Sequence, residues 1–218
     1  MDFSHIKDHT KKELEKLINH PFMEELYTGE LSFEKFVFFL KQDFHYLEQS
    51  MKNMGILIAK AEDLTARRML INILYNESEI EFKNYLNLLD FLNIDSSKLK
   101  SIDLTRANIA YSNYLISQSA QKSFVVGIAA LLPCYYSYLE IYQYHKDKLK
   151  NNENEIYLKW ASTYNEAKYK KLVEDLICIF ELYLNSEKEE EITQTYKNSL
   201  KFEYEFLEDA YYRKIWRL

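Results

Sequence analysis

Three stretches of this 218-residue chain place reactive side chains where a helical core takes apolar ones. The first is the stripe Phe36, Leu40, position 43, Leu47, Met51 and Met54, which advances in steps of three and four like one face of a helix. Position 43 is Asp, and Tyr46 lies three residues on, on nearly the same face. The second is Tyr196, Leu200, position 203, Leu207 and Ala210, where position 203 is Glu. The third is "LLPCYYSYLEIY" (131–142), in which Cys134 and Tyr138 stand four apart and share a face. Pro133 removes one helical hydrogen bond and crowds the carbonyl of Ala129, which bends or breaks a helix. A thiol, two carboxyls and phenols aimed inward from three helices supply a nucleophile and acid–base groups. Each also has a plain alternative. Cys134 can be a buried structural thiol, Asp43 a paired core carboxylate, and Glu203 a residue on a polar helix edge. Spacing alone names no reaction.

The elements that must position these residues read as helices, over roughly 3–27, 32–61, 63–94, 104–122, 124–150, 153–184 and 187–216. Ser32 opens the second after the Gly29 stop, and Asp63 and Thr65 open the third. "NIDSSKLK" (93–100) and "KNNEN" (150–154) are loops, and "SEKEEE" (186–191) reads as the solvated first turn of the last helix. No repeat or linker interrupts the chain, so one all-α domain over 1–218, a bundle of about seven helices, is the simple reading. Three glycines in this length, where about fifteen is usual, leave no room for a dinucleotide fingerprint or phosphate loop. A net charge of −6 without a basic stripe argues against nucleic acid as a partner. The start is polar and amphipathic, and the longest apolar run, 124–136, is too short for a bilayer, so no membrane association is expected. Two cysteines make no disulfide framework, and a cytoplasmic protein with free thiols is expected.

Four stretches together resemble the TenA family, also called thiaminase II or aminopyrimidine aminohydrolase. They are "HPF" (20–22) running into "LYTGELSFEKFVFFLKQDFHYL", then "AALLPCYYSYLE", "YLKWASTY" and "FEYEFLEDAYYRKIW". They stand in the family's order and cover nearly the whole chain. The resemblance implies a haem-oxygenase-like helical fold and a homotetramer. It implies hydrolysis of 4-amino-5-aminomethyl-2-methylpyrimidine to the hydroxymethyl pyrimidine and ammonia, and cleavage of thiamin to pyrimidine and thiazole, with no metal or cofactor. Carried over residue by residue, it makes Cys134 the nucleophile and Glu203 the acid–base, with Glu205 as a rival two residues on. It puts Asp43, Tyr46, Tyr138 and Tyr164 on the substrate and Tyr111 against the pyrimidine ring as a stacking partner. "NEA" after Tyr164 departs from the small residues expected there.

This chemistry asks the surroundings of Cys134 to favour a thiolate. It asks an apolar pocket to raise the pKa of Glu203. Cys178, placed with Leu172, Leu176 and Ile179 on an apolar stripe, and His45, between Asp43 and Tyr46, are read as packing residues. Other classes remain open: a di-iron carboxylate bundle, a cofactor-free haem-oxygenase-like oxidase, and a non-catalytic interaction or regulatory protein. The first wants Glu-x-x-His pairs, and the sequence offers only the near match Asp2-x-x-His5.

Overall fold

The computed structural model describes residues 2–184 and 188–216. Its regular elements are helical. They are α1 (Phe3–Ile18), α2 (Pro21–Thr28), α3 (Phe33–Lys60), α4 (Leu64–Asn76), α5 (Phe82–Phe91), α6 (Arg106–Gln121), α7 (Phe124–His145), α8 (Glu155–Ser162), α9 (Ala167–Leu182) and α10 (Glu189–Tyr212). Ten α-helices therefore replace the expected seven among the described residues, because three expected helices are divided. Pro21 cannot extend α1. It begins α2 instead, behind an N-cap in which the His20 ring Nδ1 accepts from Phe22 N–H at 3.0 Å. A π-helical turn (Glu77–Glu81) separates α4 from α5, and a 3-10 turn (Thr163–Asn165) separates α8 from α9. Glu189, Glu190 and Glu191 form the acidic first turn of α10, while Ser186 and Glu187 lie outside the described residues.

Local chemistry sets most boundaries. Asp63 accepts from Ala66 N–H at 2.9 Å to start α4, and Thr105 accepts from Asn108 N–H at 3.1 Å to start α6. Gly29 closes α2 with φ of 89°, where a Cβ would stand 2.8 Å from Asn152 Oδ1.

The apolar stripes meet in one core that runs from Phe3 to Ala210. At its centre α7 packs against α10, α6 and α9, and α10 also lies on α1 and α3. Gly127 permits this closeness. A Cβ there would come within 2.7 Å of Leu57 on α3 and 3.0 Å of the Ser119 backbone on α6. Pro133 does not break α7, which continues to His145. At 22 residues α7 is long and apolar enough to cross a membrane, longer than the run of 13 apparent in the sequence, but 78% of its apolar window is buried inside the protein. Burial on all sides explains its even apolar character and makes it a core helix.

Candidate active site

Between α3, α6, α7 and α10 lies a cavity of about 90 Å³. From α3 come Phe39, Asp43, Tyr46, Leu47 and Ser50, at steps of three and four, so one helical face forms the wall. Cys134, Tyr135 and Tyr138 enter from α7, Tyr111 from α6, and Glu203 and Phe206 from α10. Tyr164 reaches in from the 3-10 turn, Tyr169 from α9, and Glu77 from the start of the π-helical turn. All seven residues singled out from the sequence, namely Cys134, Glu203, Asp43, Tyr46, Tyr111, Tyr138 and Tyr164, thus line the same space.

Aromatic rings fix the walls. Tyr46 and Tyr111 stack with centroids 5.1 Å apart, and Tyr111 stacks also with Phe202 at 5.5 Å. Tyr111 lines the cavity, and its hydroxyl donates to Glu203 Oε1 at 2.9 Å. Tyr138 and Tyr164 form a second stacked pair at 5.1 Å, with Trp160 edge-on to Tyr164 at 4.9 Å. The Tyr46 hydroxyl is buried without a well-formed hydrogen bond, although it lies near enough to the Cys134 thiol for each to affect the other.

The electrostatics follow from what is absent. None of the cavity-lining residues is Lys, Arg or His. Burial pushes Glu203 up to about 8, and the nearby Asp43 pushes the same way against hydrogen bonds from Tyr111 and Tyr138. Burial likewise carries Asp43 to about 7. These carboxyls hold protons near neutral pH and can donate them. Cys134 is also pushed up, first by burial and then by Glu203, with Tyr46 opposing. Its Sγ donates to Leu131 O at 3.1 Å. The expectation of a thiolate is thus not met, because a buried anion beside three carboxyls lacks a countercharge.

Other placements separate real from apparent candidates. Glu203 is 3% exposed, whereas Glu205 is exposed on the opposite side of α10, in an outer groove with Lys201 and Tyr204. His45 Nδ1 donates to Asn108 Oδ1 at 3.1 Å and does not line the cavity. Cys178 is exposed, which corrects its place on the buried stripe: one residue before Ile179 is about 100° around the helix.

Glu77 and Ser50 were missed by sequence reading. Ser50 continues the Asp43, Tyr46 and Leu47 face. Glu77 was legible by the same logic as Asp43 and Glu203, since Ala66, Leu70, Ile73 and position 77 form a buried stripe on α4 that ends in an acid. Among the described residues, no set of three or more His, Cys, Asp or Glu converges as a metal site.

Known proteins support a family assignment for this arrangement. The chain is 27% identical over 201 residues to the aminopyrimidine aminohydrolase of Halalkalibacterium halodurans, covering 91% of this chain and 90% of that protein. Its fold superposes on a TenA homologue from P. horikoshii OT3 with a TM-score of 0.92, at 31% identity, over 97% of this chain and 99% of that one. A domain of unknown function with a haem-oxygenase-like fold from Shewanella denitrificans matches at a TM-score of 0.79 and 15% identity, over 98% of this chain and 93% of that one. The all-helical architecture is therefore haem-oxygenase-like. The sequence pattern of the TENA/THI-4/PQQC family matches residues 8–214, and the chain belongs to that family.

Proposed function

We propose that this protein hydrolyses 4-amino-5-aminomethyl-2-methylpyrimidine to 4-amino-5-hydroxymethyl-2-methylpyrimidine and ammonia, and cleaves thiamin to the same pyrimidine and the thiazole. In this reading it is a cytoplasmic thiamin-salvage enzyme, one domain over 1–218, assembled as a homotetramer and using no cofactor. The observation that carries the reading is the single cavity in which a thiol, Cys134, faces two proton-holding carboxyls, Asp43 and Glu203, inside an aromatic box. The name of the H. halodurans relative points the same way.

Asp43 hydrogen-bonds the 4-amino group and the adjacent ring nitrogen, and Tyr164 contacts the other ring nitrogen. These bonds draw electrons from the ring and make its carbon electrophilic. The Cys134 sulfur adds there, and its proton passes to the ring nitrogen held by the protein, so no free buried thiolate has to persist. Electrons returning from the ring expel the exocyclic nitrogen. Once the nitrogen stands as the neutral amine, Glu203, which holds a proton near neutral pH, gives it that proton, so that ammonia departs and Glu203 is left as the carboxylate. Water adds to the resulting methylene carbon and gives its proton to Glu203. The thiol then leaves with its proton restored, and the sum is amine plus water giving alcohol plus ammonia. Tyr46 orients the thiol, while Tyr111 and Tyr138 orient Glu203.

Incubation with the aminomethyl pyrimidine and with thiamin, following ammonia, thiazole and hydroxymethyl pyrimidine, tests this reading. Stoichiometric release of alcohol and ammonia is expected. Protein that binds and transforms neither compound contradicts it.

A further inference from the structure

We propose that Glu77 is a specificity-determining residue of this cavity, whose carboxylate favours ligands carrying a positive charge, so that the amine substrate is held and the neutral alcohol product is let go. The proposal rests on the reaction assigned above. Glu77 is 3% exposed, and its Oε2 accepts from the Tyr135 hydroxyl at 2.9 Å, with Ser50 beside it. Tyr135 is the neighbour of Cys134, its own carbonyl accepts from the Tyr169 hydroxyl at 2.8 Å, and the charge of Glu77 is felt at the thiol. The carboxyl is therefore held in place, in range of whatever occupies the cavity. It sits at the first residue of a π-helical turn, a local departure from α geometry that is frequent at functional sites.

The chemistry leaves this acid without another task. Asp43 is occupied by the ring, and a carboxyl that shares its proton with the departing nitrogen, as Glu203 does, cannot also balance that nitrogen's charge. An ammonium ion entering the cavity meets no cation in the wall, and Glu77 is the remaining carboxyl. Its pKa of about 7, raised by burial and opposed by the hydrogen bonds from Tyr135 and Ser50, lets a cation draw it into the ionised form. Hydrolysis replaces the ammonium with a hydroxyl and so removes the charge that Glu77 attracts. The thiazolium of thiamin, a fixed cation on the same methylene, should be held in the same way.

The test uses Cys134→Ser protein, which permits binding of the intact amine, with and without Glu77→Gln. Calorimetry with the aminomethyl and hydroxymethyl pyrimidines reads the difference, since the two ligands have nearly the same shape and differ in charge. Glu77→Gln should weaken the amine roughly tenfold and leave the alcohol within about twofold. Tyr135→Phe, which removes a donor favouring ionised Glu77, should shift the same ratio by less and serves if the Gln variant does not fold. Equal losses for the two ligands, or none, overturn the role of Glu77. Parent protein that binds neither pyrimidine overturns the reaction assignment itself.

Discussion

Helix α10 borders two recesses of opposite character. On one side Glu203 and Phe206 face the aromatic-lined cavity; on the other Leu200, Lys201, Tyr204 and Glu205 line an outer groove with Glu13, Lys16 and His20. In the groove acids meet cations: burial raises the Glu13 carboxyl, but Lys197, paired with it at 2.9 Å, holds it below the usual range. In the cavity Asp43, Glu77 and Glu203 face no cation and are all pushed upward. Residues two apart in sequence therefore sit in opposite electrostatic worlds. Withholding countercharge turns ordinary carboxyls into acids that retain protons at neutral pH, which is what the proposed reaction asks of them.

The largest expected effect separates the two cysteines along the same line. Cys134→Ser should lower turnover at least about a hundredfold, because a hydroxyl is a far weaker nucleophile than sulfur. Cys178→Ser, on the exposed face of α9, should keep near-normal rates. Steady-state ammonia release measures both, and a dispensable Cys134 beside an essential Cys178 would place the chemistry outside the cavity.

Asp43→Leu comes next, with pyrimidine binding weakened roughly tenfold, since the side chain loses both the acceptor for the 4-amino group and the donor for the ring nitrogen. Calorimetry with the hydroxymethyl pyrimidine is the measurement. Unchanged affinity would remove Asp43 from the ligand. Folding should survive, because replacing a polar group desolvated by burial with an apolar one removes a desolvation cost.

These positions show what periodicity can and cannot convey. The stripes of α3 and α10 place Asp43 and Glu203 inward because an acid among Leu residues is visible in one helix alone. Pro21 marked its own helix start, yet the charged, helix-favouring run around it reads as continuous, and so does the run through Glu77. Only packing against α3 and α7 decides that the α4 stripe ends in a cavity and that position 77 begins a π-helical turn. Tyr111 illustrates a second limit. Its identity and interval point to a ring against the substrate, but its stacking on Tyr46 and Phe202, from helices distant in sequence, is set by packing alone. The raised thiol of Cys134 is a third case, since it depends on three carboxyls contributed by three other segments.

The smallest effect is on stability. Glu203 titrates near 4.5 when unfolded and near 8 in the native protein, so between those values the native state holds a proton that the unfolded chain has lost. Its contribution is fully present below about 4.5 and is lost as pH rises through about 8. Asp43 and Glu77, raised likewise, act in the same direction, while His20, pushed down to about 4 by burial, opposes them between about 4 and 6.5, so the wild type alone does not isolate Glu203. The Tm of wild type relative to Glu203→Gln should therefore fall as pH is raised from about 5 to about 8, and a difference independent of pH would mean that Glu203 is already ionised.

The comparison of cavity and groove reduces most directly to one assay, kcat and substrate affinity for the aminomethyl pyrimidine in Glu203→Gln and Glu205→Gln. Glu203→Gln should bind nearly normally and turn over at least about a hundredfold more slowly, while Glu205→Gln matches wild type. A slow Glu205 variant beside an active Glu203 variant would contradict the account and move the acid–base to the groove side of the helix.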